Sequence, residues 1–440
     1  MEVKSSCASA PGKVILFGEH AVVYGVTAIS AALSDLRIFV TIESCVGLDH
    51  VEVSLHDLKG SEEEVVVPMV VPYTTLRRLC SGDSSSFSLV AENPQEADLA
   101  PMRIEFAALS VQASQGLMAI CYLVSRLVPE LIKDCVGLKV HVKSVALPIG
   151  AGLGSSAAFS VALAAALLQL RQKLFSDVIS EKGQVEEGEG EAVAAAFCRQ
   201  SSNGGNEAST VFASGETLAG AFPATCTPPL SVLKTINAWA YAAEVVIHGA
   251  PSGLDNTTSC YGGALTYDRN AGKFDAIAKL PDMRILLTNT KVPRSTKQLV
   301  AGVRMLHDKI PRVVKPIFDS IEGISQRFLE LLADARGDPR RINDDELVEE
   351  IGALFRINQD LLNAIGVGHA ALNAVTEASQ AQGFPCKLTG AGGGGCAITL
   401  LQSGIGSHAK IDALKKSLAD FGFETFHSAI AGDGVRWHHQ

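Results

Sequence analysis

Residues 147–158 read Leu-Pro-Ile-Gly-Ala-Gly-Leu-Gly-Ser-Ser-Ala-Ala, and this stretch decides the fold. Its glycines, at positions 150, 152 and 154, fit neither a packed strand nor a helix, because glycine takes positive φ readily and lets the backbone approach a ligand closely. Valines separated by polar residues precede the stretch, and an Ala- and Leu-rich run follows it at residues 156–172. The pattern therefore predicts a strand, a glycine loop and a helix. The free N–H groups and the positive dipole end at the start of such a helix favour an anion.

The glycine loop differs from two familiar phosphate loops. The Walker pattern needs Lys followed by Ser or Thr after its last glycine, and the dinucleotide pattern needs glycine where Ser155 stands. A tight turn of small residues is the alternative, but the density of glycine favours a phosphate loop of a third kind. In such a loop Ser155 would cap the helix through its hydroxyl, and Ser156 could offer its hydroxyl to a metal.

Composition limits the class of protein. The chain has 440 residues, of which 47% are hydrophobic and 19% charged, and its net charge is 37 − 47 = −10. This length allows two or three domains with a sizeable core, and the negative charge argues against nucleic-acid binding. The ten cysteines form no CxxC pattern, and we see neither a signal peptide nor an apolar run of the ~20 residues that a membrane span needs. We therefore expect a cytoplasmic protein that binds neither nucleic acid nor a membrane.

Two regions stand apart along the chain. Residues 182–229 contain an acidic, glycine-containing run and a Ser/Asn/Gly cluster, which predicts an exposed, mobile insertion. In the last ~150 residues helical and strand patterns alternate, which predicts a compact α+β unit with antiparallel strands.

Two carboxylates are placed for phosphoryl transfer. Glu244 comes late in a predicted helix over 231–247, and Asp255 follows the Gly- and Pro-containing break at 248–253. Both can point into one cavity across this turn. Mg²⁺ commonly takes only one or two carboxylates together with phosphate oxygens and water, so Glu244 with Ser156 would suffice for the metal. Asp255 would then accept the proton of the attacking hydroxyl. The alternative is a solvated glutamate and an ordinary turn aspartate, and spacing alone does not separate the two.

Cations and further polar groups flank other predicted strands. Lys13 enters a short apolar strand, and a buried ammonium can stabilise transferring charge. Glu19 and His20 leave that strand and could bind polar groups of a substrate, although a structural histidine is the simpler interpretation. The run 291–296 combines two cations with two hydroxyls, and Arg294 is suited to holding a carboxylate. The glycine run 390–395 implies close approach to a ligand or to the first glycine loop.

Taken together, these residues resemble the GHMP kinase family. Three motifs carry the resemblance in order, at residues 11–25, 148–158 and 387–395, and the runs 248–256 and 290–294 extend it. The first motif, Gly-Lys-Val-Ile-Leu-Phe-Gly-Glu-His-Ala-Val-Val-Tyr-Gly, is more similar to the members that act on mevalonate than to the galactokinases. The resemblance implies ATP-dependent phosphorylation of the C5 hydroxyl of mevalonate, for isoprenoid and sterol precursor synthesis.

The resemblance also implies a role for each site residue. In the family, the residues matching Ser156 and Glu244 hold Mg²⁺, the one matching Asp255 is the catalytic base, and the one matching Lys13 supports the transition state. With Lys13, the residues expected to bind ATP are Gly150, Ala151, Gly152, Leu153, Gly154, Ser155 and Ser156. The residues expected on the substrate side are Glu19, His20, Asp255 and Thr296.

The resemblance implies an α+β fold of two domains. Residues 1–280 would form the N-terminal ATP-binding domain, which is similar to ribosomal protein S5 domain 2 and would carry the insertion at 182–229. Residues 281–440 would form a ferredoxin-like C-terminal domain, with the active site between the two. We also expect a homodimer.

A prenyl diphosphate is a further expected ligand, as an inhibitor at the ATP site. Val145 stands where many members of the family carry a nucleotide-contacting serine, and an apolar residue there could favour the prenyl tail.

Two rival interpretations are weaker. A family member that acts on phosphomevalonate or on mevalonate diphosphate is disfavoured by Glu19-His20 and by the 248–255 run. A catalytically dead sensor is disfavoured because Lys13, Ser156, Glu244 and Asp255 are all present.

Overall fold

The computed structural model describes residues 3–56, 68–79, 87, 90–175, 224–277, 280–281, 283–337, 344–401 and 407–439. Most of the predicted insertion at 182–229 lies outside the described residues, so its exposure and mobility stay a prediction. The fold is α+β with two sheets, as expected.

The first sheet has nine described strands. They are β1 (Ser5–Phe17), β2 (Ala28–Val46), β3 (His50–Leu55), β4 (Met69–Pro72), β5 (Val136–Val145), β6 (Ala224–Cys226), β7 (Ala264–Asp268), β8 (Lys273–Ile277) and β13 (Arg436–His439). Their order is β4-β3-β5-β2-β1-β13-β6, with β7 on β2 and β8 on β7. The pairs are antiparallel except for β3 with β5.

Seven α-helices and one 3₁₀ turn accompany this sheet in the described ranges. They are α1 (Tyr73–Leu79), α2 (Glu96–Glu105), α3 (Val111–Leu127), α4 (Pro129–Lys133), α5 (Ser155–Phe175), α6 (Leu230–His248) and α7 (Leu254–Tyr261), with the 3₁₀ turn at Ala21–Tyr24. Helices α2, α3 and α4 follow one another closely but remain separate. Ser110 caps α3 by accepting from the Ala113 amide, and Pro129 starts α4 at the position where proline is best tolerated.

Helices α5 and α6 are long and apolar enough to span a membrane, judged by length and composition only. The expectation that no apolar run reaches the length of a membrane span is therefore wrong as a statement about composition. Their apolar windows are 78% and 50% buried inside the protein. Helix α5 packs against β1, β2, α6 and α7, and a helix enclosed in this way is apolar on all sides.

The second sheet lies in the C-terminal part of the chain. Its strands are β9 (Arg284–Asn289), β10 (Cys386–Leu388), β11 (Cys396–Leu401) and β12 (Glu424–Ala429), in the antiparallel order β10-β11-β9-β12. Its helices are α8 (Thr296–Lys309), α9 (Pro311–Gly337), α10 (Asp344–Ala364), α11 (Ala370–Ala381) and α12 (Ser407–Asp420).

The end of the chain returns to the first sheet. Strand β13 pairs with β1, and the indole of Trp437 donates to the carbonyl of Ala165 in α5. The predicted boundary between residues 280 and 281 falls just before β9 and stays a prediction, but residues 436–439 belong with the first sheet by hydrogen bonding. Sequence periodicity cannot place such a strand, since its partner lies about 430 residues away.

Candidate active site

A cavity of about 680 Å³ is lined by residues from both sheet regions. The first region contributes Lys13, the glycine loop and Asp255, and the second contributes Arg294, Thr296 and Gly390. The three motifs, which are far apart in sequence, therefore meet at one place.

The glycine loop approaches Lys13 closely. Gly150, Gly152 and Gly154 all have positive φ, between 71° and 83°. A Cβ at Gly154 would stand 3.0 Å from Cγ of Lys13, and the Lys13 amide donates to the carbonyl of the buried Leu153 over 2.8 Å. Only glycine fits this approach without strain. Ala151 is buried beside the loop.

The helix cap differs from the expectation. Helix α5 begins at Ser155, whose hydroxyl accepts from the Gly150 amide over 3.4 Å and closes the loop. The prediction that Ser155 caps the helix is therefore wrong, because the residue is already helical. The prediction that Ser156 offers its hydroxyl to a metal stays a prediction, and in the structure this hydroxyl contacts the carboxylate of Glu244.

Glu244 is a buried carboxylate behind the start of α5. One of its oxygens accepts from the Ser156 hydroxyl (3.2 Å), and the other accepts from the Ser160 hydroxyl (3.0 Å). The imidazole of His248 lies 3.0 Å from the same Ser156 oxygen. Burial, together with the negative charge of Asp255, raises the pKa of Glu244 to about 7, against the opposing effect of the two hydroxyls and Lys13.

This donor set fits Mg²⁺ bound together with a nucleotide. Glu244 and Ser156 supply hard oxygen ligands beside an anion-binding loop, and one carboxylate is within the usual number for Mg²⁺. Across the described ranges, no group of three or more His, Cys, Asp or Glu side chains could hold a metal. The remaining ligands would have to come from phosphate and water.

Lys13 and Asp255 form the centre of the cavity. The ammonium lies 3.2 Å from Oδ1 of Asp255, and the exposed fractions of the two side chains are 7% and 40%. The β1–β2 register shifts between Pro11 and Lys13, and an irregularity of this kind re-aims a side chain. Asp255 stands in the first turn of α7, after Gly253 with φ 81°.

His20 and Thr296 line the cavity, and their place on the substrate side stays a prediction. His20 has φ 58° and ψ −43°, and its Nε2 lies 2.8 Å from the carbonyl oxygen of Ala391. Burial lowers the pKa of its imidazole. Thr296 is the first residue of α8, directly after the cap Ser295.

Glu19 also lies at the cavity, but the structure gives its carboxylate other partners. It pairs with Lys387 and accepts from Asn358. Burial raises the pKa of Glu19 and lowers that of Lys387, while their mutual attraction opposes both shifts. A direct contact of Glu19 with substrate stays a prediction.

Arg294 reaches between the second and third motifs. A Cβ at Gly152 would overlap its guanidinium, and a Cβ at Gly395 would stand 2.8 Å from its Nε. Its buried Nη1 has no hydrogen-bond partner among the described residues. A cation held in this way beside a cavity is suited to an anion, which agrees with the carboxylate interpretation of the 291–296 run.

Sequence reasoning missed the apolar end of the cavity. It is lined by side chains from separate elements, including Ile38, Leu55, Val111, Val142 and Ile247. No local motif signals such a surface, since each residue has an ordinary place in its own strand or helix. Val145, which we expected to favour a prenyl tail, is not among the described residues that line the cavity; it stands on β5 opposite Arg37 of β2.

Comparison with known proteins defines first the class and then the family. Residues 118–199 match the GHMP kinases N terminal domain. The chain is 38% identical to the mevalonate kinase of Mus musculus over 433 residues (98% of this chain and 94% of the relative). It is 35% identical to that of Bos taurus, with 98% and 94% covered. The crystal structure of L. major mevalonate kinase in complex with R-mevalonate has the same fold, with a TM-score of 0.60 at 22% identity over 97% of this chain and 95% of that one.

The chain belongs to the mevalonate kinases of the GHMP kinase family.

Proposed function

We propose that the protein transfers the γ-phosphoryl group of ATP to the C5 hydroxyl of (R)-mevalonate, which gives 5-phosphomevalonate and ADP. The observation that carries the proposal is the Lys13–Asp255 pair, which faces the glycine loop at the start of α5. The names of the relatives support mevalonate as the substrate.

Asp255 is the acceptor for the proton of the substrate hydroxyl. As the C5 oxygen attacks the γ-phosphorus, the O–H bond breaks and its proton passes to Oδ of Asp255, while the bond from the γ-phosphorus to the β–γ bridging oxygen breaks and ADP leaves. The ammonium of Lys13 is within reach of the same oxygens and stabilises the charge that develops on the transferring group.

The glycine loop holds the phosphates. The positive φ of its glycines and the start of α5 direct backbone N–H groups and the positive dipole end to one point. Glu244 and Ser156 would hold Mg²⁺ there, and the ion when bound neutralises phosphate charge. We assign Arg294 to the carboxylate of mevalonate, since a guanidinium binds a carboxylate in two places.

The proposal has two further parts, the cellular compartment and the oligomeric state. Cys7, Cys386 and Cys396 are buried free thiols, which fits a reducing compartment such as the cytoplasm. A homodimer remains proposed from the resemblance alone, and light scattering of the purified protein would test it.

One assay tests the proposal against its rivals. ATP consumption is measured with mevalonate, phosphomevalonate and galactose side by side, and the product is identified by mass. We expect turnover with mevalonate alone. Turnover with phosphomevalonate or galactose instead would reassign the substrate, and none with any of the three, in a protein that still binds ATP, would support a sensor.

A further inference from the structure

A fully buried ion pair joins the first motif to the third. The side chain of Lys387 on β10 is 0% exposed and that of Glu19 is 1% exposed. The ammonium donates to Oε1 of Glu19 and, over 2.7 Å, to the carbonyl of Leu388, while Oε2 of Glu19 accepts from Asn358 over 3.2 Å. Because buried ion pairs contribute little net stability compared with apolar residues, the pair calls for another explanation.

The residue after Glu19 has a strained backbone. His20, with φ 58° and ψ −43°, lies outside the regions that side-chain-bearing residues adopt readily. Such a conformation persists only where contacts with the surrounding residues hold it in place, and it is common at ligand sites. Lys387 pairs with the side chain of Glu19, directly before His20, and the carbonyl of Ala391 contacts the His20 ring.

A second contact fixes the strand that leads into this turn. The hydroxyl of Thr389 accepts from the Ile15 amide over 2.9 Å and donates to the Ile15 carbonyl over 3.0 Å. Lys387 on β10 and Thr389, which directly follows β10, therefore hold residues 15–19 at two points from the other sheet region. Lys387 itself is not among the described residues that line the cavity, so it acts on a ligand only through Glu19 and His20.

We propose that Lys387 is a positioning residue, whose pairing with Glu19 holds the 18–20 turn in the strained form that presents His20 to mevalonate. The inference rests on the proposed function, because it assigns the His20 side of the cavity to the acceptor substrate. The phosphate loop is built on a different segment, so ATP binding should depend little on this pair.

The test compares four proteins: the parent, Lys387→Met, the double variant Glu19→Gln/Lys387→Met, and Lys315→Met as a matched control on an exposed lysine. Lys387→Met leaves Glu19 buried without its cation and could fail to fold. The double variant removes both charges and can keep the hydrogen bond from Asn358, so its melting temperature should stay near that of the parent.

For the folded double variant we expect KM for mevalonate to rise at least ~10-fold, since a misplacement of about 1 Å can cost ~10²-fold. KM for ATP should stay within threefold, and Lys315→Met should match the parent in all respects. A double variant that melts like the parent and keeps the parent's KM for mevalonate would overturn the proposal, because it would show that the pair matters to folding alone. Equal rises in both KM values would overturn it as well.

A second measurement separates this proposal from the proposed function. Amide hydrogen exchange is followed in the parent and in the double variant for peptides covering residues 14–24 and, as an internal reference, residues 284–289. Exchange at least ~10-fold faster in the first peptide alone supports the positioning role even if mevalonate proves not to be the substrate. Unchanged exchange in that peptide contradicts the role, whatever the activity assay shows.

Discussion

Nζ of Lys13 lies 3.2 Å from Oδ1 of Asp255, although 242 residues separate them in sequence. The register shift in β1 and the positive φ of Gly253 bring the two side chains together in front of the glycine loop. A cation and a proton acceptor thus share the place where a phosphoryl group and a hydroxyl would meet. This pairing is the geometric basis of the first prediction.

Asp255→Asn should abolish turnover and leave nucleotide binding nearly intact. An amide cannot accept the hydroxyl proton, and losing a general base costs at least ~10²-fold in rate. Steady-state kcat and ATP binding by calorimetry check this, with Asp275→Asn, at an exposed position of β8, as the control. A loss of less than tenfold in kcat would remove Asp255 from the role.

How much of this site the sequence could predict depends on how far apart in sequence the contacting residues lie. The glycine loop shows its chemistry in consecutive residues, whereas the roles of Lys13, Glu244 and Asp255 were left open by spacing and were assigned through the resemblance to the GHMP kinases. The pairing of Glu19 with Lys387 spans 368 residues, and the sequence argument gave Glu19 to the substrate because nothing local indicates a buried cation beneath it. The apolar end of the cavity was missed for the same reason.

Glu244→Gln should raise the Mg²⁺ concentration needed for half-maximal activity by at least ~10-fold, because a neutral amide is a poorer ligand for a hard cation than a carboxylate. Its hydrogen bonds to Ser156 and Ser160 can be partly retained, so the fold should persist. Magnesium activation curves for this variant are compared with those for Glu350→Gln, an exposed glutamate on α10. Superimposable curves for parent and Glu244→Gln would show that Glu244 does not bind the ion.

Gly152→Ala should weaken mevalonate binding more than Gly150→Ala does. Both glycines have positive φ, so both substitutions carry the backbone penalty of about 1 kcal/mol. Only the methyl at position 152 overlaps the Arg294 guanidinium, whereas the one at position 150 meets open space. We expect KM for mevalonate to rise at least ~10-fold further in Gly152→Ala. If KM for ATP alone responds, the anion that Arg294 holds is a phosphate.

Stability should fall on mild acidification because of His438. Burial, with the nearby charges of Arg37, Arg436 and His439, lowers the pKa of His438 to about 4. In the unfolded chain His438 takes up a proton near pH 6.5, whereas in the folded chain it stays neutral until the pH approaches 4. The contribution of His438 to the free energy of unfolding is therefore complete above pH 6.5 and is lost as the pH falls towards 4.

Between pH 7.5 and 5.0 this residue should account for ~2 kcal/mol of the loss in unfolding free energy. Urea unfolding of the parent and of His438→Gln at both pH values measures it. The substitution should reduce the pH dependence by that amount, and equal pH dependence in the two proteins would mean that His438 is protonated in the folded state.

Farnesyl diphosphate should inhibit in competition with ATP. Its diphosphate would take the N–H groups of residues 150–156 at the start of α5, where we propose that the ATP phosphates bind. The prenyl tail needs an apolar surface next to that point, and the cavity offers one in Ile38, Leu55 and Val142, with Val111 and Ile247 beside them.

Val142→Asn, which puts an amide on this surface, should raise the inhibition constant several-fold and change KM for ATP less. Val145→Asn on the same strand is the control, since Val145 does not line the cavity in the described part of the chain. Inhibition that high ATP fails to relieve, or equal effects of the two asparagine variants, would place the prenyl diphosphate elsewhere.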